Sequence, residues 1–234
     1  MSVLKDWIRI FDLVTVGCIF FIVGLVTIDC FPDVSSLSAS LNTPWGVFTS
    51  NFVYDGFGNV FWYFWYAIPI TFAGVFYDPS SQRRRLDIII EIMFISGILA
   101  NVVYFADLYA HSDTGNSYGQ SGVGYGLIGS AAVFALFDLL NIWKRFRKVK
   151  IARLRLNSNV SRVIISGMSA LFVLTTVVVT YVNSPSVFWA EGPKTNVLVH
   201  VVSFLIGSLT SIIYLGFYKP DPWVTTIGNS ETQA

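Results

Sequence analysis

Six apolar stretches, each long enough to cross a bilayer as a helix, leave this chain few alternatives to a bundle of membrane helices. They run from about Ile10 to Ile28, Asn59 to Tyr77, Ile88 to Phe105, Ser121 to Trp143, Val163 to Val182 and Val197 to Tyr218. A hydrocarbon core of roughly 30 Å takes about 20 helical residues. Inside it, every backbone N–H and C=O must be bonded within its own helix or around a closed barrel. The connecting segments carry chain breakers: Pro32, Pro44, Asp78-Pro79, Gly115, Pro185, Pro193 and Pro220. Only 12% of the 234 residues are charged, against about 25% in a soluble domain, and the mean hydropathy is +0.62. The expected fold class is an all-α integral membrane protein: one six-helix domain over residues 1–218, then a short polar tail over 219–234.

The basic residues set the orientation. Lys5 and Arg9 precede the first span, Arg83, Arg84 and Arg85 join the second to the third, and Lys219 follows the sixth. Lys144, Arg145, Arg147, Lys148, Lys150, Arg153, Arg155 and Arg162 lie between the fourth and fifth. With six spans all of these fall on one side, and of the 15 Lys and Arg only Lys194 falls on the other. Both termini are therefore expected in the cytoplasm. The first apolar run is longer than the core of a secretory signal, and the small triplet Ser38-Ala39-Ser40 lies well beyond it, so it reads as a retained span. Cys18 lies within that run and Cys30 just beyond it, roughly 18 Å apart on a helix, which is too far for a disulfide. A net charge of +1 offers no field to recruit nucleic acid, and no metal-ligand cluster, phosphate loop or nucleotide fingerprint is present. No cofactor is expected.

Polar residues converge at one depth. His200 is 19 residues before Lys219 and Asn59 is 19 before Asp78, each roughly 28 Å above the cytoplasmic boundary. Ser121 is roughly 34 Å above Lys144, or about 25 Å if Asp138 marks the inner end. A histidine inside a span is costly and is a functional candidate by default. The spans that carry Ser121 and His200 also have small faces, Gly122, Gly126, Gly129 and Ser130 on one and Ser203 with Gly207 on the other. Small faces let two backbones approach closely in lipid, and a short Ser–His hydrogen bond needs that approach. A serine and a histidine at one level of a bilayer point to a nucleophile and its base.

The run Gly119-Gln120-Ser121-Gly122-Val123-Gly124-Tyr125-Gly126-Leu127, followed by His200-Val201-Val202-Ser203-Phe204-Leu205-Ile206-Gly207, resembles the rhomboid intramembrane serine proteases. An earlier stretch agrees, with Trp45 before a segment running from Asp55 to Asn59 into the second span. The resemblance covers roughly Pro44 to Gly207. It implies that Ser121 is the nucleophile and His200 the general base of a dyad. It implies that Tyr125 packs on the histidine ring, and that Asn59, with backbone donors near Gly119 and Gly122, serves the oxyanion. Gly126, Ser203 and Gly207 would be close-packing positions. Two residues depart from the family pattern: Asp55 stands where it has a histidine, and Gly46 where a basic residue follows the tryptophan. An ionised Asp55 would repel an oxyanion, and losing one donor there typically costs about 100- to 1,000-fold in rate.

The implied substrates are other transmembrane proteins, cut near the outer face, in a multi-pass protein of the cell membrane, here a prokaryotic plasma membrane. The segment from Phe31 to Gly58, with Trp45, Phe48, Phe52 and Tyr54 and no basic residue, suits an interfacial loop beside the site. One rival function is a rhomboid-like protein that binds membrane clients without cutting them, which Asp55 and Gly46 favour. The other is a small transporter using Glu91 and Asp138. Both carboxylates lie close to the cytoplasmic boundary, where they are expected to pair with nearby basic side chains, and the spans lack obvious inverted halves.

Overall fold

The structure, a computed structural model, describes residues 34–52, 57–74, 77, 79–117, 121–146, 158–183 and 197–217. The first apolar run with Cys18 and Cys30, Asp55, Gly119, Lys194, the basic residues from Arg147 to Arg155 and the tail lie outside the described residues, as does the side chain of Asn59. Among the described residues the chain is helical apart from loops and isolated bridges. A short α1 (Gly46–Thr49) sits in the outer loop, followed by α2 (Phe57–Ala73), α3 (Pro79–His111), α4 (Ser121–Phe146), α5 (Ser158–Asn183) and α6 (Val197–Phe217). Four of them, α3 to α6, are long and apolar enough to cross a membrane.

Local chemistry explains the boundaries. Pro79 opens α3, where its missing N–H would have had no helical partner. At 33 residues α3 is roughly 50 Å long, more than a hydrocarbon core of roughly 30 Å requires. Its C-terminal end carries the exposed pair Asp107 and His111, 3.2 Å apart. The helix stops at Ser112, whose φ of 51° is the left-handed conformation that ends many helices. The Asp113 N–H then donates back to the Leu108 carbonyl at 3.1 Å.

Two sequence expectations need correction here. The second apolar stretch reads as helix to Tyr77, yet α2 ends at Ala73, and Tyr77 sits in the connection, buried. The Arg83–Arg85 triplet was expected as a connecting segment, yet it lies within the first turns of α3. Arg85 is buried there, and its Nη1 and Nη2 donate to Asp138 Oδ1 at 2.8 Å and Oδ2 at 2.5 Å. The Tyr77 hydroxyl donates to the same carboxylate at 2.7 Å, and the guanidinium lies 4.9 Å over the Phe134 ring. Asp138 thus pairs with a basic side chain, as expected, whereas Glu91 is exposed. The pair belongs to the scaffold, since its charges are neutralised within a two-pronged hydrogen-bonded fork.

The core lies along α4. Of its membrane window 61% is buried, against 17% for α5. Tyr66, Ile70, Met93, Val123, Phe134 and Val173 bring α2, α3 and α5 onto it. The α5 helix joins α2 through a Ser166 hydroxyl donating to the Ala73 carbonyl and through the rings of Trp65 and Phe172, 5.3 Å apart.

Candidate active site

Ser121 is the first residue of α4, and His200 is the fourth of α6. Both therefore sit in the opening turn of a helix, where backbone N–H groups have no partner one turn back. Tyr125 follows Ser121 by four residues and shares its face of α4. The Tyr125 ring stacks on the His200 imidazole, centroids 4.1 Å apart and planes 22° from parallel. His200 and Tyr125 are both buried, while Ser121 is half-buried.

Small residues make this approach possible. A Cβ placed on Gly122 would lie 3.0 Å from Val199 Cγ1 and 3.2 Å from Ser203 Oγ, the residues flanking His200 on its helix. One turn further, a Cβ on Gly207 would run into the Gly126 carbonyl oxygen, and one on Gly129 into the carbonyl of Phe204. Gly126 also backs onto the Ser96 side chain of α3. The Ser203 hydroxyl donates to the Ser96 carbonyl at 3.2 Å. The helices α4 and α6 thus meet at backbone-to-backbone distance at Gly126–Gly207 and Gly129–Phe204, with α3 closing the third side.

The loop over residues 34–52, the outer loop of the expected topology, reaches the same end of the bundle. Ser38, Ala39, Ser40, Ser50 and Asn51 are buried, so the loop has a polar core of its own. Gly46 packs so closely on the Ser38 carbonyl that any Cβ there would overlap it. A side chain at position 46 therefore has no room in this fold. Trp45 instead lies largely exposed and donates its indole N–H to the Ser36 carbonyl at 2.9 Å.

The structure brings Tyr125, His200, Ser203, Gly122, Gly126 and Gly207 into one cluster around the start of α4. Asn59 lies on α2, near its N-terminus. The sequence reading missed the buried amides of Asn51 and Asn101. Asn101 carried a usable signal, since a carboxamide within an apolar span must find partners there. Among the described residues no group of three or more His, Cys, Asp or Glu is placed to hold a metal ion. The chain matches no protein-family model, no curated protein and no solved structure.

Proposed function

We propose that this chain is a six-span rhomboid-type intramembrane serine endopeptidase of a prokaryotic plasma membrane, with both termini in the cytoplasm. The observation that supports it most is the stacked Tyr125–His200 pair one helical turn from Ser121. In this reading the His200 imidazole takes the Ser121 hydroxyl proton as the oxygen attacks a scissile carbonyl. The stacked tyrosine holds the ring in its working orientation, a job that a carboxylate does in a triad. Negative charge develops on the carbonyl oxygen beside the N-terminus of α4, where free N–H groups and the helix dipole stabilise it. The leaving amine takes the proton from His200, and water then resolves the acyl-enzyme. Asn59 is the side-chain oxyanion donor. Substrates are transmembrane proteins whose helices unwind near the outer face, because a helix hides its carbonyls.

A client-binding protein without turnover is the second reading, favoured by Asp55 and by the absence of space for a side chain at residue 46. Cleavage of a generic transmembrane substrate in liposomes separates the two. The protease reading expects cutting by the wild type and none by Ser121→Ala or His200→Ala. A folded wild type that cuts no member of a substrate panel would give the client-binding reading precedence.

A further inference from the structure

Asn101 lies on α3, almost wholly buried. Its amide can donate twice and accept twice, and it is surrounded by partners. Nδ2 donates to Ser50 Oγ at 3.0 Å and to Asn51 Oδ1 at 3.2 Å, and Oδ1 lies 3.4 Å from the Ser117 hydroxyl. Ser50 and Asn51 close the outer loop ahead of α2. Ala39, in the same loop, exchanges two backbone hydrogen bonds with Ser117, at 2.8 and 2.9 Å. Ser117 is four residues before Ser121, and so short a chain spans at most about 14 Å. Three segments far apart in sequence therefore meet at one amide, and one of them delivers the candidate nucleophile.

A second contact runs the same way. A Cβ on Gly97 would lie 2.6 Å from Asn51 Oδ1 and 2.7 Å from Val123 Cγ2, so Asn51 and the first turn of α4 share the notch at this glycine. The Gly97 Cα in turn lies 3.6 Å from where a Cβ on Gly122 would be. The outer loop is thus keyed to α4 directly and, through Ser117, to the chain that enters it.

We propose that Asn101 is a positioning residue: it pins the outer loop, the loop pins Ser117, and together they set the position of Ser121 at the start of α4. This rests on the protease reading of Ser121 and His200. Asn101 itself touches neither substrate nor reacting atoms. The reason such a tether matters is that the first turn of a helix has few hydrogen bonds of its own, while misplacement of a reacting group by about 1 Å can cost about a hundredfold in rate.

The test uses the full-length protein in nanodiscs, with Asn101→Ala, the equal-sized Asn101→Asp, and Ser211→Ala as a control. Ser211→Ala removes a buried hydroxyl that bonds to Ser130 elsewhere in the α4–α6 contact. Two quantities are measured: hydrogen exchange of peptides covering Ala39 and Ser117, and capture of Ser121 by a fluorophosphonate, resolved into a binding constant and a maximal rate. Both Asn101 variants should exchange faster at Ala39 and Ser117, with exchange in α6 unchanged. Their maximal capture rate should fall about ten- to a hundredfold, with the binding constant within about twofold of wild type. The control should move neither quantity. Faster exchange with an unchanged capture rate overturns the positioning role and leaves a structural tether. Unchanged exchange overturns the tether itself. If Asn101→Ala does not fold, Asn101→Asp decides, because it keeps the volume and loses the donor. A wild type that is never captured sinks the protease reading and the positioning role with it, whereas a captured wild type matched by its variants sinks only the latter.

Discussion

The ring of Tyr125 covers that of His200 at a centroid separation of 4.1 Å, and the two residues lie near the starts of helices that touch through glycine. An aromatic pair of this kind is worth about 0.5–1.5 kcal/mol beyond the area it buries. If it orients the base, Tyr125→Ala lowers kcat roughly two- to twelvefold with little change in KM. Tyr125→Phe keeps the ring and stays near wild type. Steady-state cleavage by the two variants checks this, and equal losses in both would show that the hydroxyl matters more than the stacking face.

Gly207 faces the Gly126 carbonyl with no room for a methyl group, whereas Gly216, on the same helix, meets nothing within 4 Å. Overfilling a packed interface typically costs about 1–3 kcal/mol, so Gly207→Ala should destabilise the protein by that order. Gly216→Ala should be neutral or slightly stabilising, because alanine favours helix by about 1 kcal/mol over glycine. Unfolding midpoints in a mixed detergent titration give both numbers. Matching midpoints would mean that α6 slides to absorb the methyl.

A basic residue at position 46 should harm this chain. Any Cβ there overlaps the Ser38 carbonyl, so Gly46→Arg forces the outer loop off its seat. Faster protease nicking within residues 36–52 and lower turnover are expected, and higher turnover in Gly46→Arg would refute the steric reading.

The Arg85–Asp138 pair is buried on both sides. Removing one partner of such a pair strands a charge and costs about 3–5 kcal/mol, while replacing both with apolar residues of similar volume is often neutral or better. Arg85→Met and Asp138→Leu should each lower thermal stability sharply, and the double variant should recover most of the loss. A double variant as unstable as the worse single one would mean that the Tyr77 hydrogen bond dominates the cluster.

The sequence alone determined the helical bundle, because apolar runs long enough to span a bilayer admit little else, and the starts of α4 at Ser121 and of α6 at Val197 follow directly from those runs. The Tyr125 and His200 positions were legible as helix-start residues for a similar reason, since each lies within a short segment whose spacing is local. Tertiary structure decided what distant segments do to one another. That Arg85 turns inward to Asp138, although its neighbours read as a topology signal, depends on α3 beginning at Pro79 and facing α4. That Gly46 has no room for a side chain depends on where the Ser38 carbonyl folds back. That Asn101 gathers the outer loop and Ser117 depends on three separate segments arriving at one buried amide. A polar group inside a span announces that it needs partners, but only the packed chain says which ones it finds, because those contacts join residues 16 to 53 positions apart.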